Sequence, residues 1–183
     1  MLPVARRFFY IAILMVGLLW TVMSRPAAGV TTNGRLPAPQ VGFLAPSFTL
    51  TDLAGQTVNL SHYQDQVVLL NFWASWCPPC RAEMPAIQQV YQRYQSQGLV
   101  VLAVDASYQD APDKMQSFLG SFSHTYTILR DESGEVNQLY KVNSLPTTFF
   151  IGRDGTIRDL VVGGPLTFAG MSARAEDLLQ EVP

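Results

Sequence analysis

Hydrophobic and polar positions divide the chain into stretches of different period. The 17 residues from Phe8 to Ser24 are uncharged and apolar, bounded by Arg7 and Arg25, which is the lower limit of what a helix needs to cross a bilayer. Arg25 to Pro46, RPAAGVTTNGRLPAPQVGFLAP, follows neither a helical nor a strand period and reads as a linker. Regular patterning begins at Ser47. SFTLTDLAGQTVNL predicts two short strands around a turn at Leu53 to Gln56, and VVLLNFW (Val67 to Trp73), apolar except for Asn71, predicts a central strand buried on both faces.

A helix follows, with Met84, Ile87, Tyr91 and Tyr94 at helical spacing and Gly98 placed to end it. LVVLAVD (Leu99 to Asp105) is a second buried strand, and Asp110 and Pro112 open a short helix that ends near Leu119. YTILRD and a helix over Glu135 to Tyr140 come next. TTFFI and TIRDLVV then form a hairpin across Gly152 to Gly155, and a last helix carries Met171, Ala175, Leu178, Leu179 and Val182 on one stripe. This order predicts an α/β domain over 47–183, with a central mixed β-sheet flanked by helices and an N-terminal β-hairpin extension. No internal repeat or low-complexity block interrupts it.

Charge alters the picture at the N-terminus. The net charge is −2, but three of the 12 bases (Arg6, Arg7 and Arg25) flank the first apolar run and all 14 acids follow it, so residues 26–183 carry −5. That balance excludes nucleic acid, which requires a basic face. Two arginines ahead of the apolar run keep residues 1–7 cytoplasmic, make 8–24 a transmembrane anchor and direct 26–183 outward; 25–46 is then a flexible linker. The competing reading is a cleaved signal peptide ending at Ala27-Ala28-Gly29. Arg6-Arg7 is also compatible with a twin-arginine signal, without supporting context.

Candidate chemistry is confined to NFWASWCPPCRAEMP, which holds both cysteines of the chain, Cys77 and Cys80. Cys77 follows a buried strand and begins a helix, where free N–H groups and the helix dipole favour the thiolate that attacks disulfides. A structural staple is the weaker reading, because so small a ring constrains little of the unfolded chain. A metal site would need a second cysteine pair or suitably spaced histidines, and His62 and His124 are isolated, so neither a metal nor a cofactor is expected.

Three motifs in order, FTLTDLAGQTVNL, LLNFWASWCPPCRAEMP and YKVNSLPTTFFIGRDG, resemble the TlpA/ResA-like branch of the thioredoxin superfamily over about Pro46 to Val182. The resemblance implies a thioredoxin-like fold and thiol-disulfide oxidoreductase activity, with Cys77 as nucleophile, Cys80 as resolving thiol and Pro146 as a cis-proline facing the disulfide. Leu145 and Thr147 would then offer backbone to an extended client, and Trp76 and Pro78 would contribute to client binding. Cytosolic thioredoxins carry a buried aspartate where this chain has Asn71. An amide cannot take the proton that Cys80 must lose, and Glu83 matches the glutamate to which this branch assigns that task. The rival reading of Glu83 is ordinary compensation of the helix dipole. Pro85 is expected to kink the helix near Arg81.

Pro78 and Pro79 withhold two amide donors from beside Cys77, which weakens thiolate stabilisation and favours a reductant over an oxidant. The family implies electrons from a membrane thiol transporter of the DsbD or CcdA kind. The clients it implies are disulfide-bearing exported proteins such as apocytochrome c, with the chain itself a monomer. The alternatives are a disulfide-forming oxidase, a metal carrier or binding module, and a peroxidase. The last is disfavoured because the threonine expected shortly before a peroxidatic cysteine is absent: positions 73 and 74 are Trp and Ala.

Overall fold

The computed structural model describes Met15 and residues 36–181. Apart from Met15, the anchor expected over 8–24 lies outside those residues, as does Val182, the last position of the C-terminal stripe. In chain order the elements are β1 (Thr49–Asp52), β2 (Thr57–Asn59), β3 (Val67–Trp73), α1 (Pro78–Tyr94), β4 (Leu99–Asp105), α2 (Pro112–Leu119), β5 (Thr127–Arg130), α3 (Glu135–Leu139), β6 (Thr147–Ile151), β7 (Ile157–Val162) and α4 (Phe168–Gln180). A 3-10 turn, Gln95–Gln97, follows α1 and ends at Gly98, whose φ of 97° is the left-handed conformation that glycine adopts without a Cβ penalty.

All seven strands join one sheet in the order β2-β1-β5-β4-β3-β6-β7. β3, β4 and β5 run parallel, β6 and β7 return antiparallel at one edge, and the β1–β2 hairpin extends the other edge by pairing antiparallel with β5. This is the mixed sheet with an N-terminal hairpin that the patterning predicts. β3 lies inside the sheet between β4 and β6, and every one of its residues is buried. Alternation along it feeds two cores. Val67, Leu69 and Trp73 join the layer beneath α1, α2 and α4. Val68, Leu70 and Phe72 join the opposite layer, with Val136, Tyr140, Phe149 and Ile157. The same parity assigns Asn71 to the α1 side.

Residues 36–46, read from composition as the end of a linker, are bonded to the start of β7. Gly42 N donates to Ile157 O (2.8 Å), Ile157 N to Phe43 O (2.9 Å) and Ala45 N to Gly155 O (2.9 Å). These bonds use backbone only, so the Pro- and Gly-rich composition gives no sign of them. Tyr140 fixes the end of the segment. Its ring lies 5.1 Å from Phe149 and 5.3 Å from Phe72, and its hydroxyl donates to Pro46 O at 2.6 Å.

Tyr140→Phe keeps the packing but strands a buried carbonyl, and should cost about 1–3 kcal/mol. Urea unfolding should show a lower midpoint with an unchanged slope. A midpoint equal to wild type would mean that the Pro46 contact adds nothing to stability.

Candidate functional site

β3 stops at Trp73, and after three intervening residues Cys77 takes the N-cap position of α1 with φ −89° and ψ 107°. Pro78 and Pro79 occupy the first helical positions, where a missing N–H costs nothing and the fixed φ suits the helix. Cys80 is therefore the first residue of the helix able to donate, and its N–H reaches Cys77 Sγ at 3.3 Å. The two sulfurs form a disulfide, with Cα atoms 5.3 Å apart. Cys77 is 3% exposed and Cys80 0%, the deeper of the two. Trp76 lies 51% exposed beside them, its indole held by a bond from Nε1 to Gln109 O at 3.1 Å. Pro78 is also exposed. Pro85 lies inside α1, which continues through it to Tyr94.

The Leu145–Pro146 peptide bond is cis. Pro146 O accepts from Gly163 N at 2.8 Å. Thr147 lies within β6, in register with Phe72 on one side and Val162 on the other, and its Oγ1 donates to Ser144 O at 2.7 Å. Leu145 is half-buried and precedes the strand. Leu145 and Pro146 thus both lie outside the sheet, and of the two Leu145 is the less buried. A second cis bond, Gly164–Pro165, follows β7 and carries no motif that flags it in sequence.

Glu83 faces inward from α1, one turn beyond Cys80, and is only 1% exposed. Its Oε1 accepts from Asn71 Nδ2 (2.8 Å) and its Oε2 from Leu166 N (2.9 Å). Asn71 Nδ2 also donates to Thr148 Oγ1 at 2.9 Å, while Asn71 Oδ1 is buried without a partner. A Cβ placed on Gly164 would come within 2.8 Å of both Glu83 Oε2 and Pro146 Cγ, so the loop after β7 closes over carboxylate and cis-proline together only because that residue is glycine. Burial raises the Glu83 pKa above the ordinary glutamate value, and the bonds from Leu166 and Asn71 only partly oppose it. A carboxylate compensating the dipole at a helix surface has no such surroundings.

Patterning placed Asp110 at the start of a helix, and the structure corrects that role. The N-cap of α2 is Ala111, with no side-chain bond, and Asp110 instead turns inward. Its carboxylate accepts from Ser75 N (2.5 Å) and Ser75 Oγ (2.6 Å), two residues ahead of Cys77. Proximity in sequence to Pro112 made the capping role plausible, and a partner 35 residues away leaves no local signal. Beside Trp76 an open cleft of about 570 Å³ is lined by Arg81, Lys114, Ser117 and Phe118, with the Arg81 guanidinium 4.8 Å above the Phe118 ring. His62 is exposed, and His124 lies between Phe122 and Tyr126 with its ring tilted against both. Among the described residues, no group of three or more His, Cys, Asp or Glu could hold a metal ion.

Residues 41–160 match the AhpC/TSA family. The thiol-disulfide oxidoreductase ResA of Geobacillus kaustophilus is 39% identical over 126 residues, covering 69% of this chain and 71% of that protein. The chain belongs to the ResA-like thiol-disulfide oxidoreductases. A solved chain from Chlorobium tepidum, assigned as the thiol:disulfide interchange protein DsbE, superposes with a TM-score of 0.70 at 32% identity, covering 76% of this chain and 98% of that one. StoA from Bacillus subtilis gives a TM-score of 0.62 at 26% identity, covering 70% and 96%. The fold of this ResA-like protein is accordingly thioredoxin-like, and its activity is disulfide oxidoreduction.

A buried acid with a raised pKa binds its proton more tightly in the native state than in the unfolded chain. Its contribution to stability is complete at low pH and is withdrawn as pH rises above the ordinary glutamate range. Glu83→Gln removes that dependence, and Asn71 can turn its amide so that Oδ1 accepts from the new side-chain NH2 group. Urea unfolding of the oxidised proteins at pH 4 and pH 8 should show stability shifting in favour of the variant as pH rises. A difference independent of pH would mean that Glu83 does not titrate abnormally.

Proposed function

We propose that this protein is a membrane-anchored, extracytoplasmic dithiol reductase of exported proteins, held by residues 8–24 with its N-terminus in the cytoplasm. Among the described residues, no helix is long and apolar enough to cross a membrane, and the proposed anchor lies outside them. The observation that carries the direction of electron flow is the poverty of donors at Cys77. With prolines at 78 and 79, the Cys80 N–H is the one helix-terminal amide that bonds its sulfur. A thiolate with few donors gives a pair that is easily oxidised and hence reducing.

Reduction then proceeds in two exchanges. The Cys77 thiolate attacks a client disulfide, forming a mixed disulfide and releasing one client thiolate. Cys80 loses its proton to Glu83 and attacks Cys77 Sγ, which closes the Cys77–Cys80 bond and releases the second client thiolate. Two electrons pass to the client. Leu145 offers backbone to an extended client, Pro146 and Thr147 shape that contact, and Trp76 and Pro78 form the exposed rim beside it. An oxidising compartment requires that the pair be recharged. The resemblance points to a membrane thiol transporter of the DsbD or CcdA kind as donor, and to apocytochrome c among the clients.

Reduced protein treated with limiting iodoacetamide should be alkylated first at Cys77, and a Cys80→Ser variant should accumulate a mixed disulfide with its client through Cys77. Equal alkylation of the two positions would sink the assignment of roles.

Glu83→Gln should slow the second exchange while leaving the first nearly unchanged. In rapid-mixing measurements on a small-molecule disulfide from pH 5 to 9, a variant profile superimposable on wild type would leave the residue without a role in proton transfer.

A further inference from the structure

Behind the Ser75–Trp76–Cys77 turn lies a second buried acid, unconnected to Glu83. Asp105 ends β4 and is 0% exposed. Its Oδ2 accepts from Ser107 Oγ at 2.6 Å, whereas Oδ1 is buried and receives no donor. Asp110, 4% exposed, sits on the same turn, its N–H bonded to Ser107 O at 3.4 Å, and its side chain bears on Asp105 while its own oxygens already accept both bonds from Ser75. Two carboxylates cannot hydrogen-bond each other unless one retains a proton, and burial makes the doubly charged state costly.

We propose that Asp105 and Asp110 share one proton and act as a positioning pair for Cys77, so that loss of the proton lowers the reactivity of the Cys77 thiol. The coupling rests on Cys77 being the attacking thiol. Its route is covalent and short: Asp110 holds both the N–H and the hydroxyl of Ser75, and Cys77 follows two residues later. With the proton in place the pair carries one negative charge. Without it, a second charge behind the turn disfavours the thiolate and loosens the grip of Asp110 on Ser75. Burial, together with the charge and contact of Asp110, raises the Asp105 pKa to about 7, against the opposing effect of the Ser107 bond and the Arg130 charge. Two other charged groups border Asp105, Arg130 as its register partner on β5 and Asp131 through the backbone, and each keeps one side-chain atom, Nε and Oδ1, buried without a partner. Arg130 pairs with Glu132 at 2.8 Å, and Asp131 accepts from Asn137 N and Nδ2 at 2.8 and 2.7 Å while its own N–H bonds Asp105 O.

Asp105→Asn tests the idea, because asparagine donates to Asp110 and leaves the pair with one charge at every pH. Rates of Cys77 alkylation by iodoacetamide, with the modified residue identified by peptide mapping, should be equal in variant and wild type near pH 5.5. By pH 8 the variant should be faster by roughly three- to tenfold, the effect of one added charge several ångströms away at intermediate dielectric. A damaged fold or a merely repacked loop would give a ratio that does not change with pH. A constant ratio with Cys77 still modified first overturns the coupling alone. Modification falling first on Cys80 overturns the nucleophile assignment and the coupling with it. Carbon-13 titration of the aspartate carboxyls in reduced wild-type protein needs no substitution. It should show the pair releasing its protons in two widely separated steps, and ordinary titration of both carboxyls overturns the proposal however the variant behaves.

Discussion

The carboxylate of Glu83 is the point at which helix, strand and loop are tied together beneath the disulfide. It takes one hydrogen bond from the central strand through Asn71 and another from the loop after β7 through Leu166 N. An ionised group without these donors would be prohibitive in a layer of buried Trp73, Met84 and Leu69. With them, it ties α1 to β3 and to the loop after β7 one turn beyond Cys80. It also fixes the loop, because Gly164 must approach both Glu83 and Pro146 more closely than any side chain would permit. The helix N-terminus and the cis-proline are thus held in register by one acid that is itself sensitive to protonation.

Asn71 shows how sheet geometry makes this possible. The odd-numbered positions of β3 face α1, so a single polar residue in an otherwise apolar strand is delivered to the helix that carries the cysteines. Its amide nitrogen serves both Glu83 and Thr148, which leaves its oxygen unsatisfied. Such a defect in the centre of a sheet lowers stability. An apolar residue at position 71 would leave one oxygen of Glu83 without a donor.

Much of the architecture was legible because its causes are local. Continuous apolar runs predicted β3 and β4, helical spacing predicted α1 and α4, and Gly98 marked the end of the 3-10 turn that prolongs α1. The strand-turn-helix context of Cys77 was visible for the same reason, and the motif around Pro146 gave its cis bond through resemblance. What escaped depends on partners distant in sequence. Asp110 looked like a helix opener beside Pro112, yet its acceptors are taken by Ser75. Asp105 looked like the polar end of a strand, and nothing near it in sequence announces a second buried acid. Residues 36–46 looked like linker because Pro, Gly and Ala are poor indicators of backbone pairing with β7. The cis bond at Gly164–Pro165 likewise has no periodic signature.

In the proposed mechanism the redox pair is flanked by acids with different tasks. Glu83 lies on the same helix as Cys80, one turn further on, where the proposed proton transfer would act only when the resolving thiol attacks. Asp110 holds the turn that delivers Cys77, where charge matters when the thiolate forms. The prolines between the cysteines remove backbone donors that would otherwise dominate the electrostatics of the first turn. With that contribution small, a buried carboxylate on either side has more influence over its neighbouring sulfur than it would in a donor-rich helix terminus. The Pro-Pro insert and the buried acids are then two parts of one arrangement. The insert leaves the sulfurs responsive to side-chain charge, and the acids supply a charge that can change with proton release.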